Sequence, residues 1–249
     1  MGRLKDRSAG VTGGATGIGG AVCEMFGAEG ALSIVVDYNE AEGEAAAARI
    51  RSAGGRAEFH ALDVRCSAET AQVFERIGTD HGRIDVLVCS AGVLMGAYDG
   101  IADLEEEAWD ATIDTNLKGT YLSTKFAAPW LRRAQRSVLL LIASGAGVRG
   151  ASSSFAYAAS KAGIHGMQYN FERDLGASGT RVHVICPGGI ATPLKLLNIA
   201  QGATARGEDS DAAVANARQT LGDPVGVARL LTFLASDDAD YVRGTIFTR

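Results

Sequence analysis

The chain has 249 residues, a net charge of -5 and no basic block, which argues against nucleic acid as a partner. Hydrophobic residues make up 47% and glycines number 32, enough apolar material at this length for one α/β domain with a large core and many tight turns. No apolar run is long enough to span a bilayer, so no membrane partner is expected.

The four cysteines, Cys23, Cys66, Cys89 and Cys186, are scattered without a Cys-x-x-Cys pair. That argues against a metal site or a disulfide framework and for a reducing compartment; all four are expected as small buried core residues. The start, Met1-Gly-Arg-Leu-Lys-Asp6, has no signal-peptide apolar region, and Asp6 spoils a myristoylation site at Gly2. The expected location is cytoplasmic.

Short apolar runs alternate with longer amphipathic ones, the pattern of a doubly wound, mostly parallel sheet with helices on both faces. A first strand is predicted at 7–12, followed by a helix over 18–29. Strand 31–37 leads into an Ala/Glu-rich helix over 40–53. Strand 57–62 and a helix over about 68–81 come next, then strand 85–89. A long helical stretch covers 104–133, with a break expected near Thr115 and Asn116. Strand 138–142 is apolar throughout and reads as fully buried. A helix over 154–176 and strand 181–186 follow. Segment 192–223 is polar, rich in Gly and Ala and poorly periodic, and reads as a mobile lid with short helices. A last helix covers 224–235, and 245–248 is a candidate edge strand. There is no internal repeat and no linker that would divide domains.

The first strand-to-helix turn reads Thr12-Gly13-Gly14-Ala15-Thr16-Gly17-Ile18-Gly19. Glycines let the main chain approach a ligand closely, and the amides at a helix N-terminus suit a pyrophosphate. The spacing is Gly-x-x-x-Gly-x-Gly, so the generic dinucleotide fingerprint is not met as written. Asp37 at the end of the next strand sharpens the reading. A carboxylate there can accept from both ribose hydroxyls and repels a 2′-phosphate. Tyr38 follows it, and the turn holds no Lys or Arg. NAD is therefore the expected cofactor and NADP is disfavoured.

The fifth strand runs through Ser144 and a Gly/Ser-rich loop toward Tyr157 and Lys161. Four residues apart on a helix, these two share a face. A phenol with an ordinary pKa of ~10 is a poor proton carrier at neutral pH, and a fixed cation beside it lowers that value. Tyr157 then becomes a usable acid or base, while Ser144 can hydrogen-bond a substrate oxygen. Such parts suit the interconversion of an alcohol and a ketone, given a separate hydride carrier.

Taken together, these segments resemble the short-chain dehydrogenase/reductase family, in its single-domain branch. The matching residues also include Asp63-Val64, Ala91-Gly92, Asn116, and Pro187-Gly188 with Thr192, in the same order over almost the whole length. The resemblance implies a Rossmann-type sheet and a role for each position. Tyr157 would be the general acid/base. Lys161 would lower its pKa and hold the nicotinamide ribose, and Ser144 would orient the substrate. Asn116 would hold a water linking Lys161 to solvent. Asp63 would bond the adenine amino group, with Val64 packed on the ring. Ile18 would offer an amide to the pyrophosphate, and Ser90 its backbone to the ribose. Ile190 and Thr192 would fix the nicotinamide carboxamide and phosphate. Homo-oligomers, dimers or tetramers, would form through the helices at 104–133 and 154–176.

Three features depart from that pattern. Cys89-Ser90 replaces an Asn-Asn pair, and Cys89 offers only a weak donor. Gly10 lies inside the first strand, where it weakens the strand. The sequence stops at Thr245-Ile-Phe-Thr-Arg249, where family members usually continue, which puts the last strand in question. The expected activity is hydride transfer between NAD and a small alcohol or ketone. A second reading is a cofactor-binding protein of the same fold that has lost catalysis and serves as a regulator or assembly partner. The apolar stretch Leu194-Lys-Leu-Leu-Asn-Ile199 could cover a ring-shaped substrate or dock as a helix on the domain.

Overall fold

The computed structural model describes residues 2–248. Seven strands form one sheet in the order β3-β2-β1-β4-β5-β6-β7, and every pairing is parallel. They are β1 (Ser8–Thr12), β2 (Leu32–Asp37), β3 (Arg56–Ala61), β4 (Val86–Cys89), β5 (Val138–Ile142), β6 (Arg181–Cys186) and β7 (Gly244–Phe247). Among the described residues nine α-helices follow or join them: α1 (Gly17–Ala28), α2 (Glu40–Ser52), α3 (Ser67–His81), α4 (Glu106–Ile113), α5 (Gly119–Arg133), α6 (Phe155–Leu175), α7 (Pro193–Ala205), α8 (Ser210–Thr220) and α9 (Pro224–Ala235). None of them is long and apolar enough to cross a membrane.

The side-chain period of two splits each central strand between two cores. Val138, Leu140 and Ile142 face the layer of Phe26, Ala46 and Leu231, from α1, α2 and α9. Leu139 and Leu141 face Phe74, Leu131 and Ile164, from α3, α5 and α6. Strands buried on both faces need continuous apolar runs, which is why β5 reads Val-Leu-Leu-Leu-Ile. Side chains at the helix starts take up orphan amides: Asn39 accepts from Glu42 N, Ser154 from Tyr157 N, and Thr192 from Lys195 N. The strand order reverses between β1 and β4, which opens a crevice at their carboxyl ends.

The expected break at 115–116 is a single π-helical turn, Asp114–Lys118, which joins α4 to α5 without ending the helical path. Two expectations need correction. Cys66 is only half-buried, because it sits at the entry to α3 rather than in a core. Segment 192–223 holds two regular helices, α7 and α8, since Thr192 and Asp209 cap them despite the weak periodicity. The last strand does form, parallel to β6. Gly10 is accommodated too: a methyl group there would lie 3.7 Å from Leu87 Cδ1, an ordinary contact.

Two buried polar side chains on β6 behave differently. Arg181 donates from Nη1 to the carbonyls of Leu234 (2.9 Å) and Ala239 (3.0 Å), and from Nη2 to that of Ser236 (2.8 Å). It thereby ties off the end of α9. His183 is fully buried, and neither ring nitrogen has a hydrogen-bond partner among the described residues. Burial pushes its pKa down to about 4, with repulsion from Arg181 and Arg243 acting the same way and the Gly244 backbone opposing them weakly. An unfolded imidazole keeps its proton up to about 6.5, so between those values the unfolded state binds more protons and stability rises with pH. Acidification from pH 7 to pH 5 should therefore cost about 1–2 kcal/mol through this residue alone. In urea titrations His183→Val should lose that much less on acidification and be at least as stable as the parent at pH 7.

Candidate active site

The carboxyl ends of the central strands open into one cavity of about 1060 Å³. One wall is the glycine turn. Gly13 and Gly17 have φ of 66° and 57°, a left-handed conformation that favours glycine. A side chain at Gly13 would also collide with Ala91, 2.7 Å from its Cα. Thr16 precedes α1 with no side-chain cap, so the first amides of that helix are left for another acceptor. Thr16 and Ile18 line the cavity; Gly19 lies behind the wall, packed on the Gly13 carbonyl.

Asp37, Asp63 and Val64 border the same end of the cavity. The Asp37 carboxylate accepts from the amides of Ala15 (3.1 Å) and Asn39 (3.1 Å), which fixes it beside the glycine turn. Asp63 is gripped by Arg65, whose Nη2 donates at 2.6 Å and whose amide donates at 3.0 Å. That guanidinium holds the Asp63 carboxyl below the usual range. Val64 is buried. The amides of Ser90 (3.2 Å) and Ala91 (3.4 Å) point at Thr12 Oγ1, which places the β4 end directly over β1. Cys89, in place of the usual Asn, contacts Thr124 Oγ1 at 3.8 Å, and burial pushes its thiol up to about 12.

Ser144, Tyr157 and Lys161 meet at the other end. Ser154 caps α6 and so fixes where Tyr157 and Lys161 fall on it. Lys161 is buried and donates to the Ile142 carbonyl at 2.8 Å; its Nζ lies 5.5 Å from the centre of the Tyr157 ring. Burial lowers the ammonium to about 8. Tyr157 differs from expectation. Burial raises its pKa, and a hydrogen bond with the Ser144 hydroxyl only partly offsets this. The Lys161 ammonium is turned to a carbonyl and does not lower it.

Pro187, Gly188, Ile190 and Thr192 also form a wall of the cavity. Gly145 N donates to the Pro187 carbonyl (3.1 Å), and the Ala191 and Gly222 amides bind Gly222 and Gly189 in turn. Gly17 packs close to Thr192: a methyl group on the glycine would come 3.5 Å from the threonine. A side chain at Gly92 would press on Asn116 Oδ1, 3.2 Å away, and approach Lys161 Nζ, 3.6 Å away.

Asn116 is buried behind this wall at the centre of the π turn. Its Nδ2 donates to the Val93 carbonyl (2.9 Å) and Ser160 Oγ (3.0 Å), and its Oδ1 accepts from Val93 N (2.8 Å). Both ends of its amide are thus already bonded within the protein. What it visibly does is tie the β4 loop to the helix of Tyr157 and Lys161.

Several residues around the cavity were not singled out from sequence. Arg65 is one. Met95 and Tyr98, from the loop after β4, and Ser153 and Asn198 are others. Arg149, in the loop after Ser144, stacks on the Phe247 ring of β7 with its guanidinium carbon 3.2 Å from the ring centre. Only the positive φ of a non-glycine residue or long-range contacts mark these, and neither can be read from one sequence. Among the described residues no group of three or more His, Cys, Asp or Glu side chains is arranged to hold a metal.

Replacing Asn116 with Ala removes three hydrogen bonds and leaves Val93 N and O unpaired. The expected cost is about 2–3 kcal/mol, a fall in Tm of roughly 4–12 °C for a chain of this size. Differential scanning calorimetry checks it, and an unchanged Tm would exclude the tie described above.

The family profile for short chain dehydrogenase matches residues 7–200. A 3-oxoacyl-[acyl-carrier-protein] reductase, FabG, of Thermotoga maritima is 32% identical over 247 residues, covering 98% of this chain and 96% of its own. A cyclopentanol dehydrogenase of Comamonas sp. is 32% identical over 245 residues, again 98% and 96%. The crystal structure of levodione reductase superimposes with a TM-score of 0.89 at 26% identity, covering 98% of this chain and 96% of that one.

Proposed function

Since the chain belongs to the short chain dehydrogenase family, an oxidoreductase family, we propose that it interconverts a small secondary alcohol and its ketone, with NAD as the nicotinamide cofactor. The observation that carries this is the placement of Ser144, Tyr157 and Lys161 on one cavity with the glycine turn and Asp37.

The cavity suits a dinucleotide. Side chains are missing where a cofactor would need main-chain contact, at Gly13, Gly17 and Gly92, and a methyl group at Gly13 or Gly92 would crowd its neighbours. The amides of Gly13, Thr16, Gly17 and Ile18 would take the pyrophosphate. Asp37, Asp63, Val64, Ser90 and Ala91 would take the adenosine half. Lys161, Gly92, Pro187, Gly188, Ile190 and Thr192 would take the nicotinamide half. When bound, the nicotinamide supplies or accepts the hydride.

The protein's own groups move the proton. Ser144 Oγ donates to the substrate oxygen and fixes its direction. Tyr157 Oη takes the alcohol proton in oxidation and returns it in reduction. Lys161 stabilises charge on the phenol as it develops. Asn116 is a positioning residue, acting through Ser160 and Val93. Asp37 supports NAD over NADP, since a carboxylate fixed beside the ribose repels a 2′-phosphate. Arg65, the cation on that wall, is occupied by Asp63.

Cyclopentanol dehydrogenase and levodione reductase support a ring alcohol or ketone as substrate. Val93, Leu94, Met95 and Leu197 give that part of the cavity an apolar lining. Of the features that suggested an inactive relative, Gly10 and Cys89 are absorbed by the packing described above.

Tyr157→Phe should lower kcat for cyclopentanol by about 10²–10⁴, while calorimetry still shows NAD binding. Turnover near the parent rate would end the assignment. In the same assays Asp37→Ala should narrow the preference for NAD over NADP by about tenfold.

Exposed aromatic residues on α4, α5 and α6, namely Trp109, Tyr121, Phe155 and Tyr169, support a homo-oligomer across those helices. Light scattering should show a dimer or larger species, and Tyr169→Glu with Phe155→Glu should shift it toward monomer.

A further inference from the structure

One polar pair on the main cavity is only half used by the protein. Asn198 of α7 is 3% exposed and lines that cavity. Its Nδ2 donates to Ser153 Oγ at 3.0 Å, and its main-chain carbonyl accepts from the Tyr98 hydroxyl at 3.3 Å. These two bonds hold the residue in place. Its Oδ1, an oxygen with two lone pairs, accepts from no group among the described residues. The described side-chain atoms that are both sealed and unpartnered belong to Ser33, Ser123 and His183. Asn198 Oδ1 is not one of them, so the little of it that is open faces the cavity the residue lines.

Ser153 complements it. The Ser153 oxygen accepts from Asn198, and its own proton has no acceptor among the described residues. Ser153 lines the same cavity, and its main-chain carbonyl is held by the Tyr98 amide at 2.7 Å. It directly precedes Ser154, which caps α6 by accepting from Tyr157 N at 3.2 Å and donates to the Met95 carbonyl at 2.7 Å. The pair therefore stands at the start of the helix that carries Tyr157. The other cavity residues of these segments, Val93, Leu94, Met95 and Leu197, are apolar. A few placed polar groups in an apolar lining are how a pocket fixes the orientation of its ligand. A nearly buried amide oxygen without a partner costs free energy until one arrives.

We propose that Ser153 and Asn198 are specificity-determining residues and that the substrate carries a second oxygen, a hydroxyl: a diol in the oxidative direction and a hydroxyketone in the reductive one. A hydroxyl uses both partners, accepting the Ser153 proton and donating its own to Asn198 Oδ1, whereas a carbonyl uses only the first. This rests on the function proposed above. The first oxygen is the one handled by Ser144 and Tyr157: its carbon gives the hydride to the nicotinamide and its proton passes to the phenol. The second hydroxyl is unchanged by the reaction.

The test measures kcat/KM with NAD for cyclopentanol, cyclohexanol, and the vicinal and more widely spaced diols of the same two rings. In the parent the best diol should exceed the mono-alcohol of its ring by at least about tenfold. Ser153→Ala and Asn198→Leu should each cut that ratio by at least about fivefold. Loss of packing, or of the tie between the two residues, slows diol and mono-alcohol alike and leaves the ratio where it was. If the parent turns over no alcohol of the set, the proposed function fails, and the ratio is read instead from Kd values for the same compounds by ligand-observed NMR. Where Asn198→Leu does not fold, Ser153→Ala decides. A parent ratio below about tenfold, or a cut smaller than about fivefold in either folded variant, would overturn the proposal.

Discussion

The hydrogen bond from the buried Lys161 ammonium to the Ile142 carbonyl joins the middle of α6 to the end of β5. A charge removed from water is costly unless it is well partnered, so this bond pins the helix at one height on the sheet. Tyr157, one turn earlier, is thereby carried to Ser144, two residues beyond the same carbonyl. The lysine also feels its enclosure, with its pKa drawn down to about 8. Asn116 reinforces the arrangement from the other side by bonding Ser160, the residue just before Lys161. The reacting groups thus owe their positions to two buried polar side chains that never need to move.

Much of this architecture is legible in the amino-acid order. β5 declares itself because a strand covered on both faces favours an unbroken apolar run. The break near Asn116 is visible as a disturbance of helical periodicity, although its π geometry is not. The glycine turn and Asp37 are marked by residue types that have few other reasons to occur together. The i, i+4 spacing of Tyr157 and Lys161 places both on one face, and the structure puts that face on the cavity.

What was not legible depends on long-range packing. Segment 192–223 looked irregular because α7 has apolar groups on more than one side: Leu196 is buried while Leu197 lies open to the cavity and solvent. The cap residues Thr192 and Asp209 were the better guide there. The state of Tyr157 also escaped prediction. Proximity to a cation suggested a lowered pKa, but burial of the phenol acts the other way and prevails. Cys66 shows the same limit, since a cysteine at a helix entry has no sequence mark that separates it from one in a core.

The stack of Arg149 on Phe247 ties the loop that begins at Ser144 to the outermost strand. β7 has a neighbour on one side only, and its residues are all half-buried. Order at the rim of the sheet and order at the reacting serine are therefore mechanically shared: the strand acts as a brace for a loop whose glycines supply little stiffness of their own, and fraying at that rim is transmitted inward to the serine.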